Sequence, residues 1–289
     1  MPAYRAVLFD FFGTLTHAVA RGARHRTVAD LLGCTPDSLA TALDESYFLR
    51  ASGRLGNAAD CLRWVCDRTG VRPSEAALHA AVRARRAAVR DDTRLRADAV
   101  TTLRALRARG LQTGVISDCT HEVPGLLADL PVAPLLDTRV FSVEVGRCKP
   151  DPLLYLTACA ALGVPAAQCL YVGDGGSREL SGARGIGMTA VRLAAPDLAW
   201  HLVYDSEPGW HGPTLTSLGE VVGMIDTGAP VSGDGPGAAG TAWPSAVPPA
   251  SGGARQPASR PAVIPRQSAG PTAPAGSART PEPTAGPGR

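Results

Sequence analysis

Short apolar runs separated by longer amphipathic stretches constrain the fold of this chain more than any other feature. This alternation predicts βαβ units, in which parallel strands form one sheet with helices on both faces. The sequence therefore predicts an α/β fold built on a doubly wound parallel sheet. The strand candidates are Ala6–Phe9 (AVLF), Gln112–Ser117 (QTGVIS), Arg139–Val143 (RVFSV), Cys169–Gly173 (CLYVG) and Thr189–Leu193 (TAVRL).

One interval does not follow this alternation of strands and helices. Between Thr16 and about Arg96 the sequence has helical periodicity and contains no good strand candidate. A helical insertion directly after the first strand would lie above the carboxyl end of that strand as a lid. We therefore predict an α/β core from residues 1–16 and 97–227 and an inserted all-helical cap domain from residues 17–96.

The C-terminal part of the chain has a different composition. Residues 228–289 consist mainly of Pro, Gly, Ala, Ser and Thr, with almost no large apolar side chains, and this composition predicts a disordered tail. The net charge of +3 lies entirely in this tail, so the folded part is neutral. The basic run from Arg83 to Arg90 is typical of a solvated helix face. Nucleic acid is therefore not an expected partner.

The composition also indicates the cellular compartment of the protein. A hydrophobic content of 45% is enough for a sizeable core without cross-links. Seven cysteines without a C-x-x-C pair or a zinc-like spacing indicate reduced thiols. No signal-like segment and no apolar run of about 18 residues is present. We expect a soluble cytoplasmic protein that does not bind membranes.

Polar side chains stand at or just past the ends of four apolar runs. They are Asp10, Ser117, Lys149 and Asp174. In an open parallel sheet the carboxyl ends of neighbouring strands converge on one crevice, so residues that are distant in the sequence meet there. The sequence therefore predicts one site built from four segments.

Lys149 is the sharpest signal among these residues, because it is the single lysine in a chain whose Lys and Arg total 29. A compact ammonium can pair with a carboxylate and a phosphoryl oxygen in a space too tight for a planar guanidinium. We therefore interpret Lys149 as a functional cation.

Carboxylates and hydroxyls supply the rest of the predicted site. Asp174 and Glu179 flank a glycine-rich turn that can bring both side chains near Asp10. Three carboxylates form a hard oxygen cage suited to Mg²⁺. Thr14 and Ser117 are short hydroxyl donors suited to holding phosphoryl oxygens.

These motifs closely resemble those of the haloacid dehalogenase superfamily of hydrolases. The segments FDFFGTL, VISD, KPDP and VGDGGSREL match its motifs I to IV in order, between Val7 and about Leu193. The helical insertion resembles the type 1 cap of subfamily IA, and the tail lies outside the resemblance. The resemblance implies an α/β core under a helical cap and a hydrolytic activity on a small molecule.

The resemblance also implies roles for single residues. Asp10 would be the nucleophile that forms an aspartyl intermediate. Lys149 would stabilise that nucleophile and the developing charge, and Thr14 and Ser117 would bind the transferring group.

In the family, Mg²⁺ is held by residues that correspond to Asp10, Asp174, Glu179 and the backbone carbonyl of Phe12. Phe12 itself departs from the pattern of the phosphatases, which carry an aspartate there. That aspartate protonates the leaving alkoxide and then activates water, and such proton transfer is commonly worth about 10² to 10⁴ in rate.

Several chemistries are compatible with a missing acid. The retained metal motif favours a Mg²⁺-dependent phosphatase, in which Asp118, His121 or His17 is a candidate replacement for the acid. Carbon–halogen cleavage is an alternative, because family dehalogenases carry an aromatic residue at this position and need no metal. Phosphonate cleavage would require a cap lysine, which the sequence lacks. A catalytically weak binding module is the remaining alternative.

The choice of substrate would rest with the predicted cap. The stretch Tyr47–Gly56 (YFLRASGRLG) joins two helical segments and carries Arg50 and Arg54. An arginine at this place would clamp an anionic group of a small-molecule substrate.

Overall fold

The computed structural model of the protein describes residues 4–227, so the predicted tail, residues 228–289, lies outside the described residues. Within them, six parallel strands form one sheet in the order β3-β2-β1-β4-β5-β6, which confirms the predicted fold class. The strands are β1 (Ala6–Phe9), β2 (Gln112–Ser117), β3 (Thr138–Phe141), β4 (Cys169–Gly173), β5 (Thr189–Leu193) and β6 (Thr214–Leu215).

The order of the strands reverses beside β1. Chain order runs outward from β1 to β2 and β3 on one side, and from β4 to β5 and β6 on the other. In such sheets the crevice at the carboxyl ends of the strands next to the reversal is the usual ligand site. Leu8 on β1 pairs with Gly114 on β2 and with Tyr171 on β4, so the ends of these three strands lie side by side.

Two details of the sheet differ from the sequence prediction. Strand β3 begins one residue earlier than predicted, at Thr138, and it ends at Phe141 and not at Val143, because Ser142 begins a short helix. The Ser142 hydroxyl accepts from the Cys119 backbone N–H (2.9 Å) and donates to the Ala51 carbonyl (2.7 Å), so it is part of the loop structure above the sheet. Strand β6 was not predicted, because two residues are too short for an alternating pattern to show.

Eleven α-helices accompany the sheet in the described part of the chain. Six of them belong to the α/β core: α6 (Ala99–Ala108), α7 (Val123–Ala128), α8 (Ser142–Val145), α9 (Pro152–Leu162), α10 (Glu179–Gly185) and α11 (Gly219–Thr227). Each face of the sheet carries its own apolar cluster. Val7 and Phe9 pack in the cluster that includes α6 and α11, and Leu8 packs in the cluster that includes α9 and α10.

The remaining five helices lie between β1 and α6 and are here called the helical segment. They are α1 (Ala23–Leu32), α2 (Pro36–Glu45), α3 (Tyr47–Ala51), α4 (Ala58–Thr69) and α5 (Glu75–Asp92). They enclose an apolar cluster of their own that includes Val28, Leu39, Leu62 and Leu78. A β-bridge between Thr16 and Leu95 joins the two ends of the segment. Apart from the bridge at Leu95, the regular elements of the predicted helical interval are all helices, and its assignment as a separate cap domain stays a prediction.

None of the helices described in residues 4–227 is both long enough and apolar enough to cross a membrane.

Candidate active site

The turn after β1 carries Asp10 to the carboxyl edge of the sheet. The Asp10 backbone N–H donates to the Val172 carbonyl on β4 (2.9 Å), which extends the pairing of the two strands by one residue. Gly13 then adopts a φ of +79°, a left-handed conformation that favours glycine. Buried Arg96 donates to the carbonyls of Gly13 (2.8 Å) and Thr14 (2.9 Å). These two hydrogen bonds from Arg96 hold the backbone of the turn in place.

Lys149 lies at the centre of the polar cluster. Its Nζ donates to Asp10 Oδ1 at 2.5 Å and to Glu179 Oε2 at 2.6 Å. Burial lowers the pKa of Lys149, but Asp10 and Glu179 outweigh this effect and the pKa lies well above its ordinary value. The lysine is therefore a fixed positive charge between two carboxylates.

Asp10, Asp174 and Glu179 form a compact acidic group. Each offers one oxygen, and these oxygens lie within 4.8 Å of one another. Burial, with repulsion among the three carboxylates, raises the pKa of Asp10 and of Asp174 to about 6 and that of Glu179 to about 7. Three buried carboxylates against one ammonium leave an excess of negative charge. Hard oxygen donors of this number and charge fit a divalent cation such as Mg²⁺.

Glu179 has further partners that hold its side chain in place. Its Oε1 accepts from the Gly175 backbone N–H (2.9 Å), and its Oε2 also accepts from the Tyr171 hydroxyl (2.8 Å). Gly173 must lack a side chain for this arrangement, because a Cβ there would lie 2.1 Å from Glu179 Oε1. Asp174 Oδ1 accepts from the Gly176 N–H (3.0 Å), so the glycine-rich turn orients both acids.

His201 enters the same group from a loop that the sequence analysis did not single out. Its Nδ1 accepts from the Val19 backbone N–H (2.8 Å), so the neutral ring carries its proton on Nε2. That Nε2 lies 3.5 Å from Asp174 Oδ2. Burial lowers the pKa of His201, while Asp10 and the backbone carbonyl of Phe12 oppose the change. The Phe12 carbonyl, a predicted metal ligand, thus lies near the imidazole ring.

The loop that carries His201, residues 196–207, is here called the strap. Its Tyr204 donates to Asp44 (2.5 Å) and stacks on Tyr47 with ring centroids 3.9 Å apart. The Tyr204 carbonyl accepts from the Ser177 N–H (2.7 Å) in the glycine-rich turn. The strap therefore bonds both to the helical segment and to the acidic turn. A cluster of His and Tyr in a long loop after β5 (WHLVYD) was the only sequence signal for it.

The two predicted phosphoryl-binding hydroxyls are both buried. Thr14 Oγ1 has no hydrogen-bond partner among the described residues. Ser117 closes β2, and its Oγ is 3.5 Å from the Asp118 carbonyl, a weak contact. The Thr14 hydroxyl in particular has unused capacity to donate and to accept.

A cavity of about 130 Å³ lies between the acidic group and the helical segment. Asp10, Lys149, Asp174 and Glu179 line it on the side of the core, together with Phe12. On the other side it is lined by polar and aromatic side chains from the helices, the strap and the connection before α1: Arg21, His25, Tyr47, Arg50, Arg85, Asp92 and Tyr204.

The two arginines predicted to clamp a substrate occupy different environments. Arg50 is buried, lines the cavity, and donates to Ser46 Oγ (2.9 Å) and to the Leu43 carbonyl (2.8 Å). Burial and the nearby Arg85 lower its pKa to about 10. Arg54 is exposed and does not line the cavity. The structure thus brings Arg50, but not Arg54, to the site.

The three candidate proton donors also differ in position. Asp118 is buried and lines the cavity. His121 is exposed, with Nε2 2.5 Å from the Gly56 carbonyl, and His17 pairs with Asp197 (3.1 Å). Neither histidine lines the cavity.

Comparison with known proteins relates this chain to one family of hydrolases. A family model described as haloacid dehalogenase-like hydrolase matches residues 4–187. The haloacid dehalogenase-like hydrolase domain-containing protein 3 of Bos taurus is 31% identical over 128 residues, which make up 44% of this chain and 50% of that protein. A glyceraldehyde 3-phosphate phosphatase of Methanocaldococcus jannaschii is 33% identical over 127 residues, or 44% of this chain and 54% of that enzyme.

The chain therefore spans about half the length of the curated relatives it matches. Among solved structures, an L-2-haloacid dehalogenase from Xanthobacter autotrophicus superposes with a TM-score of 0.55 at 18% identity, covering 77% of this chain and 98% of that one. At this level of identity the likeness concerns the fold alone.

Proposed function

Because this chain belongs to the haloacid dehalogenase-like hydrolases, we propose that it is a Mg²⁺-dependent phosphatase acting on a small phosphorylated molecule. The observation that carries this proposal is the placement of Lys149 between Asp10 and an acidic pair at the edge of the cavity. A buried nucleophile, a fixed cation and a group of hard oxygen donors are together the requirements of phosphoryl transfer.

In this proposal Asp10 attacks phosphorus. One oxygen of its carboxylate forms a bond to phosphorus while the bond from phosphorus to the leaving oxygen breaks, giving an aspartyl-phosphate. Water then attacks the same phosphorus atom, the bond to Asp10 breaks, and inorganic phosphate leaves. Hydrolysis in two steps regenerates the carboxylate.

Two hydroxyls and one ammonium would hold the phosphoryl group during these steps. Thr14 supports this role with a buried hydroxyl that has no partner among the described residues. Ser117 would supply a second hydroxyl from the end of β2. Lys149 would stabilise the negative charge that develops on the oxygens, an effect commonly worth about 10² to 10³ in turnover for one donor.

The acidic group would hold Mg²⁺ through Asp10, Asp174, Glu179 and the Phe12 carbonyl. When bound, the cation supplies charge neutralisation for the phosphoryl oxygens. Asp10 and Glu179 also accept hydrogen bonds from Lys149. The lysine and the cation would therefore share these two carboxylates.

We further propose that residues 17–96 act as a cap domain that selects the substrate. Arg50 is the better placed of the two predicted clamps, because it lines the cavity with its charge buried. No carboxylate in residues 4–227 lies within ion-pairing distance of it, whereas its neighbour Arg85 pairs with Glu122 at 2.8 Å. An anionic group on the substrate would offset this buried charge. Arg54 would act only from the rim.

Carbon–halogen cleavage is the second candidate, and Phe12 favours it. The aromatic side chain lines the cavity at the position where a phosphatase needs an acid. A halide leaves without a proton, so Asp10 could displace it from carbon to form an aspartyl ester that water hydrolyses. The acidic group would then need no cation.

A panel assay distinguishes the two candidates. Phosphate release from p-nitrophenyl phosphate and from alkyl phosphates, and halide release from 2-haloacids, are measured with MgCl₂ and with EDTA. The proposed phosphatase releases phosphate only with Mg²⁺, Asp10→Asn abolishes the release, and Phe12→Asp increases the rate on alkyl phosphates. Halide release in EDTA selects the dehalogenase. Absence of both products from the native protein contradicts both candidates.

A further inference from the structure

The proposed mechanism gives no role to two acidic side chains of the cavity, Asp92 and Asp118, and Asp92 is already paired with His25 at 2.8 Å. Asp118 follows β2 directly and is 5% exposed, in a cavity that Asp10 and Lys149 also line. It belongs neither to the acidic group nor to an ion pair in the described part of the chain. A buried carboxyl of this kind needs a physical explanation.

Only half of the Asp118 carboxyl is satisfied. Its Oδ1 accepts from the Lys149 backbone N–H at 2.9 Å. Its Oδ2 is buried and has no hydrogen-bond partner among the described residues. Leaving an ionised oxygen unpaired in such a place is costly, whereas a protonated oxygen can donate to a bound molecule. Burial also raises the pKa of Asp118, although Lys149 and the nearby Ser177 side chain oppose this.

Contacts on the other side connect Asp118 to the helical segment. The Tyr47 hydroxyl donates to the Asp118 backbone carbonyl at 3.0 Å, and the ring of Tyr47 stacks on Tyr204. Asp118 therefore contacts Lys149 through its side chain and the helical segment through its backbone carbonyl. In an in-line displacement the leaving oxygen lies across phosphorus from Asp10, so for a substrate held between Asp10 and the helices it would lie on the side of the helices.

We propose that Asp118 is the proton donor and acceptor that the Phe12 position lacks, an inference that rests on the proposed phosphatase function. As the phosphorus–oxygen bond of the ester breaks, the proton on Asp118 Oδ2 moves to the leaving oxygen, which departs as an alcohol. The resulting carboxylate then takes a proton from water as the water oxygen attacks the aspartyl-phosphate. Phosphate leaves, Asp10 is an ionised carboxylate again, and Asp118 is protonated again.

The other candidate donors either lie outside the cavity or face groups other than the expected leaving oxygen. His121 is exposed and its Nε2 contacts the Gly56 carbonyl, and His17 is held by Asp197. His201 lines the cavity, but its Nε2 faces Asp174 and the Phe12 carbonyl. Among these residues, Asp118 alone combines a place in the cavity with an unpaired oxygen.

The dependence on the leaving group tests this role. A nitrophenolate leaves readily without a proton, whereas the alkoxide of glycerol 2-phosphate does not. We expect Asp118→Asn to lower kcat/KM for glycerol 2-phosphate by about 10² to 10⁴ and that for p-nitrophenyl phosphate by less than about 10-fold. Asp118→Glu, which keeps an acid at the position, should recover part of the loss. His121→Ala is the control and should alter neither substrate.

An equal loss on both substrates in Asp118→Asn overturns the proposal, because it indicates a positioning role for the Oδ1 contact. The native protein provides a test that does not depend on the folding of a variant. Across phosphate esters of increasingly poor leaving groups, its kcat/KM should change little, and a steep fall would show that no acid operates. If Asp10→Asn remains as active as the native protein, the phosphatase assignment itself is wrong, a failure distinct from that of Asp118.

Discussion

The ammonium of Lys149 lies 2.6 Å from Glu179 Oε2 and is simultaneously bonded to Asp10, so one small cation neutralises two buried acids. The Ile116 carbonyl and the Tyr171 hydroxyl, each 3.4 Å from Nζ, surround the same ammonium. This environment explains why an otherwise arginine-rich chain keeps a lysine here, because the planar guanidinium of arginine does not fit so small a space.

Lys149→Arg should therefore inactivate the protein although it preserves the charge. We expect phosphate release to fall by about 10² to 10³, comparable to the loss of a transition-state donor, and the melting temperature to fall as well. Steady-state kinetics and calorimetry measure the two effects. Arg72→Lys is the control, because Arg72 forms an exposed ion pair with Asp67. It should change neither phosphate release nor the melting temperature. Full activity in Lys149→Arg would contradict the tight packing described here.

Gly13→Ala should destabilise the protein by more than the cost of placing an alanine in the left-handed conformation. Its φ is +79°, and an added Cβ would lie 2.7 Å from His201 Nε2 and 2.9 Å from Asp174 Oδ2. Gly33→Ala is a matched control, because Gly33 has a φ of +80° and nothing within 4 Å of its added Cβ. The left-handed conformation costs about 1–2 kcal/mol for a residue with a Cβ. Urea denaturation should show a larger loss of stability for Gly13→Ala, and equal losses would refute the close approach.

Glu122→Gln should reduce stability at neutral pH and have less effect in acid. Glu122 pairs with Arg85 across the boundary between α5 and the core, at 2.8 Å and with both side chains largely buried. Burial opposes ionisation of Glu122, but Arg85 outweighs it and the pKa lies below its ordinary value. The stabilisation is thus present above the unfolded pKa of about 4.3 and is lost as pH falls through the lower folded pKa.

Breaking a buried pair costs about 3–5 kcal/mol, because the remaining charge is left uncompensated. We expect the free energy of unfolding of Glu122→Gln to lie below that of the native protein by this amount at pH 7, with the difference shrinking toward pH 3. Urea titrations at both pH values give the comparison. A difference that is constant with pH would mean that the pair contributes through packing alone.

His201→Ala should increase the affinity for Mg²⁺. The Nε2–H group of His201 lies 3.5 Å from Asp174 Oδ2 and near the Phe12 carbonyl, so the ring would compete with a cation for the same oxygens. A hydrogen bond to a charged group is worth about 1.5–3 kcal/mol, and at this longer distance we expect the Kd for Mg²⁺ to fall by up to about tenfold. Isothermal titration calorimetry with MgCl₂ measures this directly, without turnover.

Trp200→Ala is the matched control for this measurement, because Trp200 precedes His201 on the strap and is 86% exposed. It should leave the Mg²⁺ affinity unchanged. Weaker binding by His201→Ala would instead identify the imidazole as a metal ligand, with its proton moved from Nε2.

The sheet was predictable because its strands are short apolar runs with clear ends. Four of the predicted strands agree with the structure in both bounds, and the fifth ends early where Ser142 bonds to the backbone of neighbouring loops. Strand β6 could not be predicted, because its two residues are held by pairing with β5 and not by a pattern of their own.

The side chains at the strand ends were predictable for the same reason, since strand order brings Asp10, Ser117 and Asp174 to one edge. His201 and Tyr204 were not, because a loop without periodicity gives no indication of which direction it takes across the surface. Their places depend on tertiary hydrogen bonds to Val19 and Asp44. Likewise, nothing in the sequence separates buried Arg50 from exposed Arg54.

The strap bonds to Asp44 of the helical segment through Tyr204, and the backbone of the same residue accepts from Ser177 beside the acids. A further strap residue, Glu207, binds the backbone N–H groups of Leu180 and Ser181 at the start of α10. If the helices swing outward, the strap would transmit that displacement to the backbone beside Glu179. A cut in this loop should therefore disturb both the cover over the crevice and the placement of its acids.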